Sequence, residues 1–560
     1  MKSYKRILWT VLSAAFVFSS CTKKSEIGKM VPKDAMFVLH LDTKSLLSKV
    51  TWQDVKQNQW YQKVTTDPSL KAWQKKLVAD PESSGIDMNG GLIFFAEKDA
   101  NNPDGILAVE GSIKDAAAFT QFNKDLDSTS TIKTDGGISL LTLHGEAVVG
   151  WDGNHFAYVF SAAGAKSKLE SLNPMGGQGS MTPLVPQTQS LSTACQNLFS
   201  LKSDQNLTKN EKFSNLLGET GDIHVWINSE EIMKNSSGLG MLGMLKLDVF
   251  FKDNISTYTV NFDQGKIDIT HKGYAGKELM DFMKKYQGGS INSDMISAIP
   301  STNIDGIFAM HFQPQGLKEL IQMIGLDGVI NNYSGKIGFG LDDFVKANSG
   351  DLVVALSDLS VKKSANDQSV SDKPSMNVLF SVGIGDKASF QKLLDAGKQL
   401  GGAMGPSDTS VVFGQNDKYF AISNHQHFLN DFVAGNAHNH FPFMDQIGGH
   451  SMGLYIDLHR ILTEIKNNAP LDPDQDTLMN ASLGLWKDIY GTSGDITGGA
   501  IVGHTQIDFM DGSTNSLVQL NHYFDKMSSI AIRKMEEEKK HPGAADSVML
   551  VPPMDTVGHK

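Results

Sequence analysis

Ile113-Lys-Asp-Ala-Ala-Ala-Phe119 and Ile384-Gly-Asp-Lys-Ala-Ser-Phe390 place the same four residues (Ile, Asp, Ala, Phe) at the same spacing. Each stretch follows a run of strong β formers (residues 106–109 and 378–382) and leads into a helical pattern. An aspartate at such a junction can accept the orphan N–H groups of the first helical turn. Asp115 and Asp386 therefore read as helix caps, not as catalytic acids.

Working outward, the neighbouring segments match as well. Residues 32–41, a strand opening on Pro32, are answered by Pro300 and residues 306–312, and a helical pattern follows in each case. Residues 91–96 match 350–355, residues 150–158 match 414–422, and residues 223–228 match 454–457. Each series ends in paired strands (256–270 and 496–509) and a helix (276–286 and 516 to about 540). The expectation is an α+β protein of two related halves, 31–290 and 295–540, produced by tandem duplication. Its sheets should be mostly antiparallel with packed helices. Residues 173–190 and 361–375 read as long loops, and 541–560 as a disordered tail.

The amino terminus carries an address. Lys2, Lys5 and Arg6 precede an apolar run from Ile7 to Phe18, too short for the ~20 residues of a membrane-spanning helix. Ser19 and Ser20 then lead to Cys21. This is the pattern of a lipoprotein signal peptide, residues 1–20, with Cys21 as the lipidated residue and 21–30 as the tether. Each buried methylene of an acyl chain contributes about 0.8 kcal/mol, so two or three chains hold a protein on a membrane. Directly after Cys21 come Thr22-Lys-Lys-Ser-Glu26, basic where a surface-export signal would be acidic. The expected location is the outer membrane, lipid-anchored and facing the periplasm.

The formal charge is −12, and −15 once Lys2, Lys5 and Arg6 leave with the signal. No basic, aromatic-interleaved patch offsets it, so nucleic-acid binding is disfavoured. Beyond Cys21 the sole cysteine is Cys195, in an apolar helical pattern without a basic neighbour; it reads as a packed small hydrophobe.

Three further stretches carry a resemblance: Val31-Pro-x-x-Ala35, Asp80-Pro-Glu-Ser-Ser-Gly-Ile-Asp87 and Asp222-Ile-His-Val-Trp-Ile-Asn228. Behind a lipidation signal, that order resembles a family of Bacteroidota lipoproteins of unknown function. The resemblance implies export and transfers no site residues.

Two motifs suggest chemistry and fall short of it. Gly449-His-Ser-Met-Gly453 fits the G-x-S-x-G nucleophile elbow, but a strand pattern follows the serine where a helix is required. The position matching Ser451 in the first half is Asp222. His425-x-His427 and His438-x-His440 fall within one short stretch, and with Asp431 or His450 they form the only candidate metal set. The segment between the pairs reads as a helix and the second pair as a polar loop, so the expectation is solvated histidines and no metal. The glycines of residues 237–243 follow a helical segment and open no phosphate loop.

With no cofactor motif and no catalytic set, the sequence points to an envelope lipoprotein that binds a protein or glycan. Two alternatives stand beside it: an enzyme of unrecognised type, and a carrier of an apolar ligand.

Overall fold

The computed structural model describes residues 27–540, apart from 67, 69, 99–104, 164–187, 235–245, 335–337, 361–374, 404–410 and 469–470. The signal, the lipidation site, the glycine-rich stretch and the tail thus lie outside the described residues, as do most of the two long loops.

The first half contributes β1 (Phe37–Leu41), β2 (Leu92–Glu97), β3 (Ile106–Ser112), β4 (Lys133–Asp135), β5 (Ile138–Leu143), β6 (Ala147–Trp151), β7 (His155–Ser161), β8 (Ile223–Asn228), β9 (Ile255–Asp263) and β10 (Lys266–Tyr274). The second contributes β11 (Ile304–His311), β12 (Asn348–Ser360), β13 (Ser375–Ile384), β14 (Val412–Gln415), β15 (Tyr419–Ser423), β16 (Met452–Asp457), β17 (Trp486–Thr497) and β18 (Ala500–Phe509). These 18 strands form one sheet in which every pairing is antiparallel. The fold is α+β.

The pairings run 4-5-6-7-3-2-1-8-9-10 and then, across the β10–β18 contact, 18-17-16-11-12-13-15-14. Read inward from either outer edge, the order is the same once the β4–β5 hairpin is set aside: β6-β7-β3-β2-β1-β8-β9-β10 against β14-β15-β13-β12-β11-β16-β17-β18. The halves join through a register that sets Ile267 against Ile507 and Thr270 against His504.

The strands follow the period-2 rule, and one face is the drier. On it lie two cores. The first holds Val38, Ile93, Ala108, Val159 and Trp226 with Phe213 and Leu216 of the helix Glu211–Gly218. The second holds Ile307, Val353, Leu379 and Tyr455 with Phe428 and Phe432 of the helix Gln426–Ala434. Cys195 is buried in the first core, its thiol pushed up to about 12 by burial. Asp115 accepts from the N–H groups of Ala117 and Ala118, and Asp386 from that of Ser389, so both cap their helices.

The opposite face is apolar and only partly covered. Val109, Phe94, Leu39 and Val225 form a transverse row in the first half, and Phe380, Val354, Phe308 and Leu454 form the matching row in the second. All eight remain half-buried. Phe37, Leu107 and Leu356 on this face are each more than a third exposed. A third cluster, under Phe119 of the helix Ala116–Leu126, seals only the β5–β7 end.

Candidate functional site

The drier face carries a polar row through the middle of the first core. Glu110 on β3, Ile93 on β2, His40 on β1, His224 on β8, Thr259 on β9, Thr270 on β10 and His504 on β18 are successive register partners. Glu110, His40 and His224 are each less than 10% exposed.

The histidines lie ring on ring, centroids 5.2 Å apart, with their Nδ1 atoms 3.0 Å apart. His224 Nε2 lies 3.1 Å from the carbonyl oxygen of Glu219, so that nitrogen donates and its Nδ1 is left as an acceptor. His40 Nδ1–H fills it. Burial lowers both pKa values, His40 to about 4. Both rings are neutral at pH 7. From Glu219 the chain of polar contacts continues to the Thr259 hydroxyl at 2.7 Å and to Lys272.

One residue before β8, Asp222 ties four elements together. Its fully buried carboxylate accepts from Ser45 Oγ at 2.6 Å, from Lys49 Nζ and from the Phe262 N–H at 2.7 Å. Its carbonyl accepts from the Asp42 N–H, and its own N–H donates to Val260. Asp42 in turn caps the helix Thr43–Lys49 that supplies Ser45 and Lys49.

At the other end of the row, Glu110 accepts from the N–H groups of Gly28 at 2.6 Å and Met30 at 3.1 Å. Burial outweighs those bonds and pushes its pKa up to about 7. It lines a cavity of about 200 Å³ together with Lys29, Met30, Asp152, His155 and Phe199. Because the folded-state value lies above the unfolded one, Glu110 contributes stability that is full below about pH 4.5 and lost as pH rises through 7. The expected loss is about 3 kcal/mol. Glu110→Gln cannot titrate, and its amide NH2 meets one backbone N–H head-on. The variant should therefore be destabilised by about 1–2 kcal/mol at pH 5 and approach or exceed the parent by pH 9, as read from urea midpoints. Parallel pH profiles for the two proteins would refute this account.

The second half shows that the architecture does not require these groups. Continuing along the same row, the partners are Thr492, Gly453, Ala309, Val353 and Ser381. Ala309 and Gly453 stand where His40 and His224 do, Ser381 where Glu110 does, and Ser451 where Asp222 does. Burying a titratable group costs several kcal/mol, so at these positions the first half carries an expense that the matching positions of the second avoid.

The residues singled out in the sequence lie elsewhere. His425 is the N-cap of the helix Gln426–Ala434, and His427, in its first turn, reaches Asp431 at 2.8 Å. They are thus not on a strand. Both line a polar cleft of about 350 Å³ with Ser301, Asn303, Asp358 and Asn377. Asp358, held at φ 56°, is engaged by Ser301, Asn303 and Asn377. His438 and His440 are exposed on either side of Asn439, which anchors the loop to the carbonyl of Ile299. Among the described residues no group of three or more His, Cys, Asp or Glu side chains is arranged to hold a metal ion. Ser451 precedes β16 directly and its Oγ contacts the Ser493 carbonyl at 3.4 Å, so no helix presents it as a nucleophile.

A second acidic set was not singled out in the sequence either. Asp305 holds Arg460 at 2.8–2.9 Å and accepts from the Leu359 N–H, Asp457 caps the Arg460 N–H, and Asp488 accepts from Tyr455 OH. Burial raises the pKa of both Asp305 and Asp457. Each carboxylate is committed to a structural partner.

No protein-family model matches the chain, and no curated protein matches its sequence. Two solved structures align with it, crystal forms III and IV of TP0453. The first covers 46% of this chain and 85% of that one, at 12% identity and a TM-score of 0.23. The second covers 47% and 87%, at 10% identity and a TM-score of 0.24. Scores this low carry no functional argument.

Proposed function

We propose that this chain is an envelope lipoprotein, anchored through Cys21, that acts by binding a partner protein and performs no catalysis. The observation that supports it is the partly covered apolar face of the sheet, where Phe37, Leu107 and Leu356 are each more than a third exposed in both halves of the fold. A contiguous aliphatic and aromatic surface of this kind suits a protein partner better than a glycan. On the same reading, the matched strand orders descend from a tandem duplication. The anchor is the lipid; no helix among the described residues is long and apolar enough to cross a membrane.

One experiment addresses both parts. Photo-crosslinking residues placed at Phe37 and Leu356 in living cells should give discrete protein adducts, recovered with membranes. Cys21→Ala should release the chain from the membrane fraction. Adducts to lipid alone would favour the carrier reading, and no adduct from either site would remove the binding face.

A further inference from the structure

Residues 27–33 form the root from which the tether leaves the fold, and they are held from several sides. Glu110 accepts from the N–H groups of Gly28 and Met30, and the Asn206 side-chain amide donates to the carbonyl of Lys29. The segment then runs antiparallel against residues 205–207. Leu207 N–H donates to the carbonyl of Val31 at 2.9 Å, Pro32 bridges to Asn206, and Lys33 N–H donates to the carbonyl of Gln205 at 2.8 Å. Met30, Val31 and Leu207 are all buried in the first core, so the two segments make a layer over the drier face of the first half.

Length restrains this layer. Ile27 lies six residues beyond Cys21, and six residues reach about 20 Å at full extension. A folded chain of this size has a radius of gyration of about 24 Å, larger than the tether is long. A body held at Ile27 therefore keeps its root side next to the bilayer that holds Cys21. Peeling the root away to gain reach would break the Glu110 bonds and expose Met30 and Val31.

Charge acts in the same sense. Residues 27–34 and 202–212 hold five lysines against Asp34, Asp204 and Glu211, in a mature chain of formal charge −15. Lys29, Lys33, Lys202 and Lys209 are exposed. Beside an anionic bilayer, attraction of this patch and repulsion of the remaining acidic body turn the molecule the same way.

We propose that this layer rests on the anionic phospholipid headgroups of the bilayer that anchors Cys21, turning the apolar face of the first half away from the membrane. Alternate residues of a strand point to opposite sides of its sheet, so both faces cannot meet one bilayer. Of the surfaces that could meet the layer, the bilayer is the one the tether keeps within about 20 Å of it. The inference rests on the lipid-anchor reading. It also gives the partner-binding reading its geometry, since Phe37 and Leu107 then face the compartment a protein partner would occupy.

The test uses the full lipidated chain on vesicles of phosphatidylethanolamine and phosphatidylglycerol, doped with a lipid whose headgroup chelates nickel. Cys21 is acylated on this reading and Cys195 is buried, so a nitroxide attaches to an introduced cysteine. Ser203→Cys reports from the layer and Leu107→Cys from the apolar face, both at exposed positions. Nickel relaxation should be at least about threefold stronger at position 203 than at 107. The ratio should shrink on phosphatidylcholine vesicles and in the triple variant Lys33→Glu/Lys202→Glu/Lys209→Glu. Those three side chains are exposed, so unaltered thermal unfolding separates a turned molecule from an unfolded one. Equal relaxation at the two positions, or a ratio indifferent to the triple variant, would overturn the proposal. Stronger relaxation at 107 would also overturn it, by setting the apolar face on the bilayer. A chain that does not float with the vesicles would reject the anchor and the orientation with it; one that floats with equal relaxation rejects the orientation alone.

Discussion

Asp222→Ala should cost about 3–5 kcal/mol of stability, a larger loss than any surface substitution in this chain should produce. The carboxylate is fully buried and accepts from a hydroxyl and an ammonium of the helix Thr43–Lys49 and from a backbone N–H of β9. Removing it leaves Ser45 Oγ and the Phe262 N–H without an acceptor and Lys49 without a counter-ion. Lys49 keeps some access to water and can resolvate, which places the loss toward the lower end of that range. Asp222→Asn keeps the shape but presents an NH2 where an acceptor is needed, so it should recover only part of the loss. Ser451→Ala, at the matching position, is the control. Its hydroxyl makes one long contact, and its removal should change stability by less than about 1 kcal/mol. Equilibrium urea unfolding of the three variants measures all of this. Equal losses at Asp222 and Ser451 would show that the buried carboxylate is not the tie described.

The second large effect is a pH dependence with two limbs. His40 has a folded-state pKa of about 4, below its unfolded value of 6.5, so the stability it contributes is present above pH 6.5 and lost as pH falls toward 4. That difference corresponds to about 3 kcal/mol, with a further loss of the same sign from His224. Glu110 acts in the other direction, its contribution falling as pH rises through 7. The first half should therefore be most stable in mildly acidic solution. Nearby carboxylates soften the acid limb: Asp42 faces both rings, and Asp222 and Glu219 face His224. Like charge between the rings sharpens it, since protonating one disfavours protonating the other at 3.0 Å. Between pH 4.5 and 6.5 the two contributions oppose each other, so replacing both rings with leucine should leave Glu110 unopposed and make stability rise as pH falls from 7 to 4.5. An unchanged acid limb in that double variant would assign the transition to other groups.

Much of the fold was legible in the sequence because it is written in local patterns. The Asp115 and Asp386 caps, the strand before each and the helix after each depend on residues adjacent in the chain. Strong β formers marked residues 37–41 and 223–228 as strands, but the buried set is Val38, His40, His224 and Trp226, not the uniformly apolar Phe37, Leu39 and Leu41 or Ile223, Val225 and Ile227 that local alternation favours. The missing helix after Ser451 could likewise be read from residues 452–456 alone. The helix after His425 was legible in the same way, from the helical pattern of residues 428–433, and His425 is its N-cap.

What only the tertiary structure decided depends on register and burial. His40 and His224 are 184 residues apart, and nothing in either strand alone says that they stack. Glu110 stood as a lone acid in the apolar run Ile106–Ser112, a visible anomaly, but its acceptor role required Gly28 and Met30 to fold back across β3. Asp222 looked like a residue before a strand and became the hub of four segments. The join between halves was equally silent, because nothing in the residues of β10 marks β18 as their neighbour and their partners lie more than 200 residues away. Local sequence fixes which way a side chain points along its own strand. Which strand lies beside it, and so whether a buried histidine meets a histidine or an alanine, is set by long-range pairing alone.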